Sequence, residues 1–405
     1  MHPNNGIINR NRTTNRMIYL FLIIIFCLPI FYRHKMPFLG SETWYWGECV
    51  LLILVAGLRL IVGGDTQTYM GDYDRYPTLE EFNIFTFAMF RYQPLWIMLN
   101  VLAKSIYQEF YVLQIILACI VNPITFYIIQ IETEKKFEVA IVYLLFQFLY
   151  FNCEIMRDSL SICIFYFAFG YLIKHKWLPY YGLCILAFLF HDAAIFYFII
   201  PFMLPILTKE FTKKYVLVMT FVILAIANPL TLSKLTFLLP AGRDDSFTDV
   251  YSKMEIGSLV GLLRGIIDII LIYFIIIYTK GHVSYKVYIG TKICFILHIL
   301  GLFMPIFLTR ICNSFNLFYF ISWVEFLYVI RKKNVTIIYG SLMLIAFVRT
   351  YFVDVTYQVS SKETSDRYYF YERYVPYYSI FETPDNNVIA RRKAIYINSM
   401  DMENN

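Results

Sequence analysis

The chain has 405 residues and a formal net charge of +6; 59% of its residues are hydrophobic and only 16% are charged. A soluble domain carries about 25% charged residues, and an apolar excess of this size would leave large adhesive patches on its surface. These values exclude soluble globular, disordered, collagen-like and disulfide-scaffold proteins, and they predict an integral membrane protein.

Apolar runs close to the length that a bilayer requires recur along the chain. A transmembrane helix needs about 20 mostly apolar residues, so the runs predict an all-α, polytopic membrane protein with about twelve spans. The predicted spans are residues 17–32, 44–62, 109–131, 137–153, 157–173, 177–190, 192–207, 214–232, 257–278, 287–308, 311–330 and 335–352.

Two parts of the chain do not fit the pattern of spans. Residues 63–108 are more polar, and we interpret them as an outer loop whose helices lie partly in the membrane interface. Residues 353–405 form a short, polar, tyrosine-rich tail. The sequence therefore predicts one membrane domain, residues 1–352, followed by this tail.

Lysine and arginine residues are concentrated in six short clusters between the predicted spans. The clusters begin at Arg33, Lys135, Lys174, Lys209, Lys280 and Arg331. All six lie on one side if residues 63–108 do not cross the membrane, and the positive-inside rule identifies that side as the cytoplasm. The outer side then carries acids, arginines and a histidine at helix ends. Chemistry is expected there, because ionisable groups at membrane depth usually face a site or pathway.

The segment Leu58–Tyr69 presents a carboxylate where the second predicted span leaves the membrane. Gly63 and Gly64 permit a tight turn, which would place Asp65 at the surface. Asp65 would there accept a proton from a hydroxyl group or bind a sugar hydroxyl. The structural alternative is an ordinary helix N-cap, a position that aspartate favours.

Arg157 and His191 each fall between strongly apolar runs. A guanidinium is costly there unless it meets an anion, and the planar fork of Arg157 suits a phosphate or pyrophosphate. A salt bridge with Glu154 or Asp158, or snorkelling to the interface, is the alternative. His191 would act as an acid, as a base or as a hydrogen-bond donor, although helix packing is the commoner role of such a histidine.

Three further features of the predicted outer side are less specific. Arg310 lies in the run Thr309–Phe315, at the same outer level as Arg157 and His191. Asp72 and Asp74 resemble an Asp-x-Asp metal motif only weakly, and we predict neither a metal nor another cofactor. The aromatic segment 368–378 would form an interfacial belt or a surface on which carbohydrate stacks.

Together these segments resemble the EpsG family of exopolysaccharide and O-antigen (Wzy-type) repeat-unit polymerases, over about residues 50–380. The resemblance is carried by Arg59, Gly63-Gly64-Asp65, Tyr69, Tyr92-Gln93-Pro94-Leu95-Trp96, Met156-Arg157, Phe190-His191-Asp192-Ala193-Ala194, Arg310 and Pro376-Tyr377. Two positions depart from the family pattern. Gln93 replaces a usual glutamate, and Asp158 replaces a usual glutamine.

The resemblance implies a polymerase of the bacterial inner membrane that joins undecaprenyl-pyrophosphate-linked oligosaccharide repeats at its outer face. A flippase and a chain-length regulator of the same pathway are expected partners. Asp65 and His191 would be the catalytic residues, with the choice of base between them open. The substrate-binding residues would be Arg157, Arg310, Arg59, Tyr69 and Tyr377.

Two other functions remain open from the sequence. One is a glycosyltransferase of the membrane GT-C kind that uses a lipid-phosphate sugar as donor. The other is a non-enzymatic flippase or transporter of lipid-linked oligosaccharides. Transporters favour symmetric halves and ionisable groups near the bilayer midplane. The sequence has no evident internal repeat and its candidate residues cluster at one interface, which favours an enzyme.

Overall fold

The structure is a computed structural model that describes residues 5–212, 214–216, 218–220, 259–302, 305–330, 340, 354–356, 367–390 and 392. Most of the predicted spans 214–232 and 335–352 lie outside these residues. The chain divides into two compact units. The first comprises residues 1–164, 185–192 and 338–399, and the second comprises residues 165–184, 193–337 and 400–405.

The described residues are mainly helical. The helices are α1 (Asn5–Tyr32), α2 (Glu42–Gly57), α3 (Thr66–Arg75), α4 (Thr86–Met89), α5 (Pro94–Ile106), α6 (Tyr111–Glu132), α7 (Lys136–Tyr143), α8 (Met156–Ile173), α9 (Trp177–Phe188), α10 (Ile200–Leu207), α11 (Leu259–Thr279), α12 (Tyr285–Gly301) and α13 (Pro305–Ile330). Short 3-10 helices lie at Pro37–Gly40, Asp192–Ile199 and Phe370–Arg373. After α7 the chain continues through two π-helical turns, Leu144–Phe148 and Tyr150–Glu154.

Three helices in the described part of the chain are long and apolar enough to cross a membrane. They are Tyr111–Glu132, Lys136–Glu154 and Met156–Ile173. Shorter apolar helices lie at Met17–Tyr32, Pro94–Ile106, Trp177–Phe188, Asp192–Leu207 and Gly265–Thr279. These helices indicate a membrane protein, as the composition predicts. The total of about twelve spans stays a prediction.

The described tail departs from a purely helical fold. Strands β1 (Asp354–Thr356) and β2 (Arg367–Tyr369) pair in antiparallel register, with Asp354 opposite Tyr369. A single bridge also joins Arg59 to Ser379. The tail therefore forms backbone hydrogen bonds of its own, which its polar composition does not predict.

In the first unit, α2 packs against α6, and α1 packs against α7. Tyr45 of α2 is fully buried, and its hydroxyl donates a hydrogen bond to the carbonyl of Phe126 at 2.9 Å. A buried hydroxyl needs such a partner, because leaving it unsatisfied costs about 1–3 kcal/mol. The ring of Tyr45 also contacts Phe137 edge-on, with centroids 5.6 Å apart.

A buried polar network joins α6 to the π-helical turns. Nδ2 of Asn122 donates to Oδ1 of Asn152 at 3.0 Å, and the hydroxyl of Tyr143 donates to Oδ1 of Asn122 at 3.0 Å. Asn152 also donates to the carbonyl of Phe148 at 2.8 Å. π-Helical turns are often found at functional sites. Here they present Asn152 and Glu154 where the helix ends, just before α8.

In the second unit, α12 and α13 approach each other closely at Gly290. A Cβ atom there would lie 2.6 Å from the ring of Phe318, so only glycine permits this spacing. Buried Lys292 donates to the carbonyls of Leu207 and Lys209, each at 2.9 Å. A positive charge at the carboxyl end of a helix is favourable, and Lys292 thereby attaches the end of α10 to α12.

Candidate functional site

Segments far apart in sequence meet in the first unit, around the start of α8. The backbone N–H of Leu95 donates to the carbonyl of Leu189 at 3.0 Å, which joins the start of α5 to the chain beyond α9. At the same level Arg157 contacts Gln93, and Asp158 lies beside His191. Residues 92–95, 157–158 and 189–192 therefore form one neighbourhood.

The guanidinium of Arg157 contacts uncharged groups. Its Nη1 donates to Oε1 of Gln93 at 3.0 Å, and its Nε donates to the hydroxyl of Tyr69 at 3.4 Å. Its Cζ lies 4.4 Å from the ring centroid of Tyr92, within the range of a cation–π interaction. We call Tyr69, Tyr92, Gln93 and Arg157 the Arg157 site. No carboxylate in the described part of the chain forms an ion pair with this guanidinium.

Glu154 supports the turn that carries Asp65. Its carboxylate accepts hydrogen bonds from the backbone N–H groups of Gly64 at 2.8 Å and of Asp65 at 3.0 Å. Nη1 of Arg373 lies 3.6 Å from Oε2 of the same carboxylate. A Cβ atom on Gly64 would meet Arg373 at 2.7 Å and Glu154 at 2.9 Å. Because Gly64 has no Cβ atom, its backbone can come this close to the Glu154–Arg373 ion pair.

Gly63 and Thr66 fasten the same turn to the π-helical segment. Gly63 has a φ of 106°, and a Cβ atom there would lie 2.6 Å from the carbonyl oxygen of Cys153. Such a φ favours glycine. The hydroxyl oxygen of Thr66 lies 2.7 Å from the carbonyl oxygen of Val62 and 3.1 Å from that of Cys153. The hydroxyl group donates its hydrogen bond to these carbonyls.

Asp65 is exposed at the beginning of α3. It occupies the N-cap position, as the structural alternative predicts, but its side chain makes no capping hydrogen bond to the helix. Its backbone N–H is held by Glu154. The Asp65 carboxylate therefore lies at the surface, and the hydrogen bond to Glu154 holds the backbone that carries it.

His191 lies between two carboxylates. Its Nδ1 is 3.5 Å from Oδ1 of Asp158 and 3.6 Å from Oδ1 of Asp192. Asp158 and His191 are both buried. A carboxylate beside an imidazole orients the ring. Because Asp158 is paired in this way and Glu154 supports the Asp65 turn, neither forms the salt bridge to Arg157 that the sequence offers.

Tyr92 connects the Arg157 site to Asp72. Its hydroxyl donates to Oδ2 of Asp72, whose other oxygen pairs with Arg75. Burial, followed by the hydrogen bond to Asp72, raises the pKa of Tyr92 to about 12. The phenol is therefore protonated at neutral pH. Asp72 is engaged by these donors, and the described residues contain no group of three or more histidine, cysteine and acidic side chains suited to a metal.

The remaining predicted site residues have different environments. Arg59 is 2% exposed, and its Nη2 donates to the carbonyl of Asn152 at 2.5 Å. Tyr377 is buried and donates to the carbonyl of Val55 at 3.0 Å. Both side chains are thus directed at the protein backbone. Arg310 belongs to the second unit, where its side chain is exposed on α13.

The tail runs along the turn that bears Asp65. The N–H of Leu60 donates to the carbonyl of Tyr378 at 2.7 Å, and the N–H of Gly63 donates to the carbonyl of Arg373 at 2.9 Å. The local sequence pattern marks the tail as a separate segment and gives no indication of Arg373. From the sequence, Glu154 is predicted only as a partner for Arg157. A carboxylate at membrane depth indicates that a partner exists, but the sequence does not identify which one.

The model of the EpsG family matches residues 43–388, most of the chain. The matched region includes every residue of the Arg157 site, the Asp65 turn, His191 and Arg373. No curated protein and no solved structure matches the chain.

Proposed function

This chain belongs to the EpsG family, and we propose that it is a polysaccharide polymerase, a glycosyltransferase of the bacterial inner membrane. Membership of the family indicates a membrane protein of polysaccharide biosynthesis. In our proposal the enzyme joins undecaprenyl-pyrophosphate-linked oligosaccharide repeats at the outer face during exopolysaccharide, capsule or O-antigen synthesis. About twelve spans, in a GT-C-like arrangement, would hold the site at that face.

The charge state of the Arg157 site supports the proposal most directly. A guanidinium stays protonated under all physiological conditions. A largely buried one is normally paired with an anion, because an unpaired charge away from water is expensive. The partners of Arg157 are an amide, a phenol and an aromatic ring, all neutral. A lipid diphosphate would supply the missing negative charge.

The proposed reaction is a transfer of the growing chain to a hydroxyl group. The acceptor oxygen forms a bond to the anomeric carbon of the donor sugar, and the bond from that carbon to the lipid diphosphate breaks. The acceptor proton passes to a base, and the diphosphate leaves as an anion. Arg157 would stabilise the charge that develops on the leaving group, from a position that its three neutral partners already fix.

Asp65 is the proposed base, because its carboxylate is exposed on a turn that Glu154 and Arg373 immobilise. His191 is the alternative base, with Asp158 placed to orient its imidazole ring. If Asp65 is the base, His191 would assist as a hydrogen-bond donor in this proposal.

The other predicted residues take supporting parts in this proposal. Tyr69 fixes Nε of Arg157 and packs edge-on against Trp96, with ring centroids 5.5 Å apart. Arg59 and Tyr377 are positioning residues, because their polar atoms are bonded to the backbone. Arg310 lies in the second unit, and its part in substrate binding stays a prediction from the sequence. A flippase and a chain-length regulator would be functional partners.

The test is complementation of a polymerase-deficient host that supplies the native repeat unit, with the lipid-linked glycans sized by gel. The wild-type chain is compared with Arg157→Ala at matched membrane levels. Lys174→Ala, which removes one exposed positive charge, is the control. A ladder with the wild type and the control that collapses to single units with Arg157→Ala supports the proposal.

Other outcomes identify other functions. Single units on the outer face with the wild type would exclude a polymerase. Units that remain on the inner face only when the protein is absent would indicate a flippase. Transfer from a lipid monophosphate sugar, measured in isolated membranes, would instead indicate a GT-C enzyme with that class of donor.

A further inference from the structure

Arg392 binds three separate points of the backbone. Its Nη1 donates to the carbonyl of Ile61 at 2.7 Å, its Nη2 to that of Pro376 at 2.6 Å, and its Nε to that of Glu372 at 3.2 Å. The side chain is 5% exposed. It lies beyond residue 388, where the family match ends. One planar guanidinium thus ties two parts of the tail to the segment before the Asp65 turn.

Ile61 has a backbone conformation that its side chain disfavours. Its φ is 53°, in the left-handed region, where a β-branched residue is an outlier. Such conformations persist only where the surroundings hold them, and they concentrate at functional sites. The hydrogen bond from Arg392 to the Ile61 carbonyl is a contact of this kind.

The strained residue is directly connected to the candidate site. Two residues after Ile61, the N–H of Gly63 donates to the carbonyl of Arg373, whose side chain approaches Glu154. Glu154 in turn accepts from the N–H groups of Gly64 and Asp65. A shift at Ile61 would therefore be transmitted to the carboxylate of Asp65 through bonded neighbours.

We propose that Arg392 is a positioning residue: it holds Ile61 in the left-handed conformation and docks the tail, and so it sets the position of the Asp65 turn. The importance of that turn for catalysis rests on the function proposed above. Lysine is an incomplete substitute, because a single ammonium lacks the planar fork that reaches three carbonyls.

The test combines substitutions that remove the guanidinium of Arg392 with one that relieves the backbone strain at Ile61. The variants are Arg392→Gln, Arg392→Lys, Ile61→Gly and the double variant Ile61→Gly/Arg392→Gln. Asn386→Ala, an exposed change in the same segment, is the control. Repeat-unit ladders measure activity, and protease cleavage of a C-terminally tagged chain in membranes measures docking of the tail.

We expect Arg392→Gln to lower polymer formation by about tenfold and to expose the tail to cleavage, with Arg392→Lys intermediate. Glycine adopts a positive φ readily, so Ile61→Gly should restore much of the activity lost by Arg392→Gln and have little effect alone. A general loss of stability would not be reversed in this way.

Two results would overturn the positioning role. One is an Arg392→Gln variant that equals the wild type in ladders and in cleavage. The other is a double variant as defective as Arg392→Gln. If the wild type itself forms no polymer, the proposed function fails, and the cleavage pattern of the same five variants still decides whether Arg392 acts through Ile61.

Discussion

Nη1 of Arg157 donates a hydrogen bond to Oε1 of Gln93 at 3.0 Å, across 64 positions of the sequence. The amide occupies one donor of the guanidinium without adding negative charge. Tyr69 occupies a second donor in the same manner. These two neutral partners therefore fix the direction of the guanidinium and do not neutralise its charge.

Gln93→Glu tests this relationship with a nearly isosteric change. A carboxylate at the position of the amide would form an ion pair with Arg157 and compete with an anionic substrate. We expect the KM for the lipid-diphosphate donor to rise about tenfold, with a smaller effect on kcat. Initial rates at varied donor concentration in purified membranes measure both constants. An unchanged KM would show that the donor anion does not bind at Arg157.

Gly63→Ala tests the turn. Its φ of 106° and the 2.6 Å approach of an added Cβ to the carbonyl oxygen of Cys153 predict a loss of more than about 1 kcal/mol in unfolding free energy. Gly71 is the matched control, since it lies in α3 with no heavy atom within 4 Å of an added Cβ. Gly71→Ala should raise stability by about 0.5–1 kcal/mol. Thermal unfolding in detergent compares the two, and equal Tm values would contradict the close packing.

Because Glu154 and Arg373 are in contact, we expect that the effects of substituting them do not add. Glu154→Ala removes the acceptor for two backbone N–H groups, so it should lower both Tm and polymer formation. Arg373→Ala should have a smaller effect, because its side chain is 18% exposed. Their combined effect should be less than the sum, since the second change removes a charge that has already lost its contact with Glu154. A fully additive double variant would show that the two side chains do not interact.

The raised pKa of Tyr92 predicts that the folded chain loses stability at high pH. Its pKa is raised to about 12 in the folded chain, from an ordinary value of about 10. Below pH 10 the phenol is protonated in both states, so its contribution to stability is complete. Between pH 10 and 12 the unfolded chain loses this proton first, and stability falls. Unfolding in detergent across this range should show a steeper decline for the wild type than for Tyr92→Phe; parallel curves would refute the shift.

Composition and apolar run length were enough to identify a helical membrane protein. They depend on local properties, because a bilayer requires about 20 apolar residues whatever their neighbours are. The predicted runs 109–131 and 157–173 correspond to α6 and α8 within a few residues. The local motifs also supplied the family resemblance and the candidates Asp65, Arg157 and His191. The two strands of the tail are not predicted by the sequence, because each is only three residues long and too short to show the alternating pattern of a strand.

Only the tertiary structure decided which charges are paired. From the sequence, Glu154 and Asp158 are equally good candidates to form an ion pair with Arg157, because both lie close to it along the chain. The fold instead directs Glu154 to backbone N–H groups 90 and 89 positions away, and it places Asp158 beside His191. Arg392 reaches Ile61 across 331 positions. Local spacing determines which side chains share a helix, whereas the partner of a buried charge is set by packing between segments distant in sequence.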